Sequence, residues 1–203
     1  IVKTKDGRLN VDELRSAKLN LAIWLYDKFK GKKIVNSFNK VISICKWEKE
    51  ELLKKGCDEN RIVYIPNSLS EEFFIKESYK EKFFSAEKKI LFMGRMHPVK
   101  EIEILIEAFK KSNIKDYSLE IVSSLSGEYY ENLLKLKNDR IIFTDEISTV
   151  KDKINKLDSA EIFILPSRKE SLPFGIIEAM ARGKVVVATK TKGALELIKN
   201  KLK

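Results

Sequence analysis

From residue 89 onward the chain alternates short apolar runs with helical periods, and that alternation limits the fold more than any other feature. Ile162-Phe163-Ile164-Leu165 is apolar at four consecutive positions, so a strand there has no polar face to give to water. Residues 89–93, 118–122, 141–143 and 184–188 read as companion strands. Residues 102–111, 129–137, 150–157, 174–182 and 194–199 read as the helices between them. Strands that are apolar on both faces and alternate with helices predict a parallel sheet covered on both sides. This is an α/β fold, a Rossmann-like doubly wound parallel sheet, whose ligands sit at the carboxyl ends of the strands.

Upstream the pattern is sparser. Leu14, Ala17, Leu21, Leu25 and Phe29 recur at helical spacing over residues 11–29. Val41-Ile42-Ser43-Ile44 and Arg61-Ile62-Val63-Tyr64-Ile65 read as strands, and residues 47–55 as a helix closed by Gly56 at its C-cap. Residues 68–88 are charged and aromatic with weak periodicity, so they read as a connector between a unit over 1–67 and a unit over 89–203.

Composition removes several functions. His97 is the only histidine, which excludes most histidine-based zinc chemistry and any Ser-His relay. Cys45 and Cys57 form no CxxC pair, so a reducing cytoplasm is the simplest assignment. No apolar run approaches the roughly 20 residues that span a bilayer. The start, IVKTKDGRLN, lacks signal-peptide character and an initiator Met, so the chain reads as a fragment. The net charge of +10 points to anionic partners. The lysines are scattered, not concentrated on one element, and no RNA motif is present, so nucleic acid is not expected.

Two strand ends carry the candidate chemistry. The strand over 89–93 leads into Gly94-Arg95-Met96-His97-Pro98-Val99-Lys100 and then a helix. Gly94 permits a sharp turn or a close approach. Arg95 and Lys100 place two cations near a helix N-terminus, where a phosphate or diphosphate is the natural guest. His97 reads as a loop residue before Pro98. The strand over 162–165 leads into Pro166-Ser167-Arg168-Lys169-Glu170, which places Glu170 at the crevice mouth. Glu178 lies on the next helix, sharing a face with Phe174, Ile177 and Ala181, while Ile176, Ala179 and Met180 occupy the opposite face. That helix is apolar nearly all round and should be buried. A carboxylate buried without a partner costs several kcal/mol, so something polar must meet Glu178. A structural salt bridge, for instance to Arg95 or Arg182, is one answer and a ligand is another.

The Glu170-to-Glu178 spacing inside ESLPFGIIEAMARGKVVVAT resembles the signature of retaining, nucleotide-sugar-dependent glycosyltransferases of the group 1 family. Gly94-Arg95 and Lys100 in LFMGRMHPVKEIEILIEAF look like that family's donor-phosphate loop. Ile65-Pro66-Asn67 and Ala160-Glu161-Ile162-Phe163-Ile164-Leu165-Pro166-Ser167 are further similar features, and the resemblance covers roughly residues 40–200.

The resemblance implies the GT-B architecture, with 1–67 a remnant of the acceptor-side domain and 89–203 a C-terminal nucleotide-sugar domain lacking its closing helices. It implies a nucleoside-diphosphate sugar as donor, no metal and no cofactor, and an acceptor of unknown identity, lipid-linked in the reading that best fits the charge. The protein would then be cytoplasmic and peripheral to a membrane face. By position, Arg95 and Lys100 would bind the diphosphate and act in catalysis with Glu170, which would contact the donor sugar. Glu178 would take the ribose hydroxyls, Gly94, Leu172, Phe174 and Gly175 would approach sugar and phosphate, and Phe143, Thr144 and Asp145 would border the base. Alternatives are a nucleotide-sugar epimerase or a non-catalytic binding module. The family's usual glycine after the loop lysine is here Glu101, and Ser123-Ser124 stands where a glycine is usual. The glycine expected near Asp145 is missing, and Asn67-Ser68 replaces Asn-Gly.

Overall fold

The computed structural model describes residues 29–74 and 87–198. The chain divides into two compact units, residues 1–65 and 66–203. The helix expected over 11–29 lies, apart from Phe29, outside the described residues.

In the first unit, β1 (Val41–Ser43) and β2 (Ile62–Tyr64) pair in parallel, with Val41 opposite Ile62. The helix α1 (Lys46–Lys54) runs between them. It ends in a Schellman motif: the Gly56 N–H bonds the Leu53 carbonyl, and the Cys57 N–H bonds the Leu52 carbonyl. Gly56 therefore sits one residue past the cap, Lys55, with φ of 79°. The left-handed turn requires glycine there.

The second unit holds a five-stranded parallel sheet in the order β5-β4-β3-β6-β7. Its strands are β3 (Glu87–Met93), β4 (Ser118–Val122), β5 (Ile141–Thr144), β6 (Ala160–Leu165) and β7 (Val185–Ala188). The connections are α2 (Ile102–Lys111), α3 (Glu128–Leu134), α4 (Val150–Asp158) and α5 (Phe174–Ala181), and α6 (Lys192–Leu197) follows β7. Right-handed crossovers from β3 through β4 to β5 place α2 and α3 on one face, and the reversed direction from β5 through β6 to β7 places α4 and α5 on the other. Contacts between layer-mates agree: Tyr129 of α3 receives the Ile102 N–H of α2, and Lys153 of α4 meets Glu178 of α5. Leu91, Phe92, Leu119, Ile121 and Phe163 from the strands pack with Ile102, Ile106, Leu157 and Ile176 from the helices, all fully buried.

The doubly wound fold expected from the sequence is thus present, with differences at its margins. Cover on both faces holds for the inner strands only, since Ile142 on β5 and Val185 and Val187 on β7 are exposed. Those are the sheet's edge strands, where the flanking helices run out. The last helix starts at Lys192 instead of Ala194 because Thr191 caps it, its hydroxyl accepting the Ala194 N–H. Phe73, in the stretch read as a connector, is buried in this core, and Arg182 donates to its carbonyl.

One strand carries a charge that the apolar pattern conceals. Glu120, mid-β4 and 4% exposed, receives Lys156 of α4 at 2.7 Å and the Thr144 hydroxyl at 2.6 Å, with Lys89 of β3 at 3.2 Å. Burial alone would raise its pKa, but Lys156, Thr144 and Lys89 together outweigh burial and hold the carboxyl below its usual range. Lys89 shows the mirror case. Burial works against its charge, yet Glu87 and Glu120 raise its pKa overall.

Candidate functional site

The strand order reverses direction between β3 and β6, so the crevice of this sheet opens where their carboxyl ends diverge. Both candidate loops leave from those two ends. After β3, the Gly94 N–H still donates to the Val122 carbonyl of β4. A β-carbon at Gly94 would stand 3.2 Å from the Phe92 ring, so glycine serves close packing here. His97 then starts a 3₁₀ turn, Pro98–Lys100, its Nδ1 accepting the Val99 N–H at 3.1 Å. That confines it to the capping role of a loop residue. Glu101 follows at φ 50° and ψ 43°, the only left-handed non-glycine among the described residues.

The β6–α5 loop is bound to the first loop at three points. The Arg168 N–H donates to the Val99 carbonyl at 2.9 Å, Arg168 Nε meets Glu101 Oε1 at 2.6 Å, and Lys100 Nζ meets Glu170 Oε1 at 2.5 Å. Lys100 and Glu170, singled out for separate roles, therefore touch, and both side chains are nearly buried. Arg95, on the same loop as Lys100, is exposed and makes no ion pair among the described residues. The Asn67 side chain secures the same loop from far along the chain by donating to the Leu172 carbonyl at 2.8 Å.

Helix α5 begins at Phe174 with Pro173 as its cap, and no side chain satisfies its first turn. The Phe174 and Gly175 amides are thus available donors at the end of the loop that carries Glu170, while the Ile176 N–H bonds the Pro173 carbonyl. Gly175 lets α5 lie flat on β6, because a β-carbon would come within 2.8 Å of the Phe163 ring. The helix is not apolar-buried all round, as the wheel had it. Phe174 and Met180 are about half exposed, while Ile176, Ala179 and Glu178 face inward.

Glu178 is 7% exposed and meets Lys153 Nζ at 3.5 Å. Neither suggested partner is its own: Arg182 is held by both carboxylate oxygens of Asp158, at 2.8 and 2.6 Å, and Arg95 is exposed and makes no ion pair among the described residues. The lysine on α4 gave no sequence signal, since solvated lysines recur throughout the chain. The same holds for Arg168, whose partner lies 67 residues away.

The β5 end lies two strands from β3, about 10 Å across the sheet at 4.7–4.9 Å per strand. Phe143 stacks edge-on against Tyr130 at 5.5 Å between ring centres, and the Thr144 hydroxyl is engaged by Glu120. Asp145 is exposed, with its carboxylate on the Glu146 N–H. The two expected clusters therefore stand at separate strand ends of one crevice edge. Among the described residues, no helix is long and apolar enough to cross a membrane.

The chain is similar in sequence and in fold to several known proteins. An uncharacterized glycosyltransferase of Methanocaldococcus jannaschii is 33% identical over 180 residues, 80% of this chain and 45% of the relative. A probable sucrose-phosphate synthase of Thermosipho melanesiensis is 29% identical over 150 residues, 70% of this chain and 35% of the relative. The crystal structure of a glycosyltransferase from Rickettsia africae superposes with a TM-score of 0.69 at 26% identity, covering 86% of this chain and 50% of that one. Anabaena HepE, solved in complex with UDP-glucose, shares the fold at 21% identity with a TM-score of 0.68, covering 91% of this chain and 51% of that one. The chain thus spans about half the length of these proteins, or less. With the group 1 family model also matching residues 74–203, the chain belongs to the glycosyl transferases group 1 family.

Proposed function

We propose that this chain supplies the donor site of a retaining glycosyltransferase, which moves a sugar from a nucleoside-diphosphate sugar to an acceptor. The carrying observation is the meeting of Lys100 and Glu170 at the divergence of β3 and β6, with Arg95 exposed on the same β3–α2 loop as Lys100 and the uncapped start of α5 following the loop that carries Glu170. In this reading the diphosphate takes Lys100 and Arg95, and Glu170 turns from Lys100 to the donor sugar. Cations and helix amides fixed before the reaction stabilise charge on the departing diphosphate as it develops. We assign that task to them without a metal ion. Glu178 exchanges its long contact with Lys153 for the ribose diol, and the β5 loop lies one nucleoside's reach away, beside the base.

Isothermal titration of the chain with UDP, GDP and ADP tests the reading, and heat from none of them would refute it. Charge-assisted hydrogen bonds of about 1.5–3 kcal/mol set the scale for the variants. Glu178→Ala should weaken the nucleotide that binds roughly ten- to a hundredfold, and Arg95→Ala about tenfold, both with unchanged circular dichroism. Retention of binding by both variants would move the site elsewhere.

The net charge of +10 supports an acceptor carried on an anionic membrane surface. Sedimentation with phosphatidylserine vesicles should be strong at low salt and lost at high salt, and equal binding to neutral vesicles would speak against it.

A further inference from the structure

Glu101 holds a backbone conformation that glycine adopts without steric cost and a residue with a β-carbon does not. Such a conformation persists only where its surroundings over-determine it. Here they do, residue by residue. Val99 and Arg168 are joined through backbone, Glu101 and Arg168 through side chains, and Lys100 and Glu170 through the ion pair between them. The Glu101 carboxylate is largely buried, whereas the Arg168 side chain is mostly exposed apart from this contact. A glycine would satisfy the turn but could not reach Arg168. The carboxylate therefore has a task beyond ending the turn, its link to Arg168.

We infer that Glu101 is a positioning residue: through Arg168 it clamps the β3–α2 loop to the β6–α5 loop and so sets the spacing of Lys100 and Glu170 for a nucleoside diphosphate. This rests on the donor reading above. Holding the two loops together before the ligand arrives removes ordering cost from binding. The clamp consequently acts on affinity, and its loss leaves the fold intact.

Two readouts on the chain separate the clamp from the donor site. The first is hydrogen exchange at the Arg168 amide without nucleotide. The second is the dissociation constant for UDP, GDP or ADP, whichever the wild type binds. In E101G the Arg168 amide should exchange about fivefold faster and the dissociation constant should rise about fivefold, the scale of one exposed ion pair. The thermal midpoint should not fall, because the glycine relaxes the turn. The exchanged pair E101R/R168E restores the link with reversed charges, and both readouts should return to within about twofold of wild type. Unchanged Arg168 exchange in E101G, or an exchanged pair that recovers neither readout, overturns the clamp even if nucleotide binds. A wild type that binds no nucleoside diphosphate overturns the positioning role together with the donor reading, whatever the exchange shows.

Discussion

Glu120→Ala should lower the stability of the second unit by about 3 kcal/mol, the low end for a broken buried pair, because it leaves the nearly buried Lys89 with the exposed Glu87 in place of two carboxylates and removes the partner of Lys156. At this chain length that corresponds to a fall in melting temperature on the order of 10 °C. Removing the charges together should cost far less: Glu120→Leu combined with Lys89→Met leaves no lone ion in the sheet. The pH dependence gives a second check. The Glu120 pKa is depressed in the folded chain, so its contribution is complete above the unfolded value of about 4.5 and is lost as pH falls through the lower folded value. The Lys89 pKa is raised, so its contribution is complete below about 10.5 and is lost as pH rises beyond the folded value. Urea unfolding from pH 2 to 7 should show acid destabilisation in the wild type that is reduced in the double variant. An alanine variant within 1 kcal/mol of wild type would show that water reaches this cluster.

The second large effect is expected at Gly193, in the first turn of α6. A β-carbon there would overlap the Ser171 carbonyl oxygen, with the carbonyl carbon at 2.6 Å and the Glu170 carbonyl at 3.0 Å. All three are backbone atoms, so no rotamer change relieves the collision. Gly193→Ala should cost about 3 kcal/mol, the upper end of overpacking, or expel α6 from its seat. Thr191→Ala supplies the scale, since loss of that cap alone should cost about 1 kcal/mol. Because the obstructed atoms adjoin Glu170, nucleotide affinity should fall with the melting temperature in Gly193→Ala and stay level in Thr191→Ala. Identical melting curves for wild type and Gly193→Ala would remove Gly193 from the support of this loop.

What could be read in advance follows from which interactions are local. The runs at 118–122 and 162–165 announced inner strands because β-branched and apolar side chains are needed on both faces, and the helix read over 174–182 does begin at Phe174. The partner of Glu178 was not legible, because Lys153 looks like any solvated lysine until the β5-to-β6 crossover lays α4 beside α5. The left-handed backbone of Glu101 had one signal, the glycine usual at that position in the family it resembles. Its residue type argues against a left-handed turn, and only the link to Arg168 explains its tolerance. Glu120 was concealed for the opposite reason: a single glutamate amid Leu119, Ile121 and Val122 reads as one polar position in a strand, and its two lysines come from elements 31 and 36 residues away.

Helix α4 carries Lys153, Lys156 and Asp158, which face Glu178, Glu120 and Arg182 in turn. Each of these partners is on a different strand or at a different point along α5, so the helix cannot slide by one turn without mismatching all three. Its consequence is historical. A lineage that reverses one of these charges passes through a less stable ancestor unless the partner changes as well. Descendants of this sequence should therefore substitute positions 120 and 156 in concert, and 158 and 182 likewise, while the exposed lysines between them drift independently.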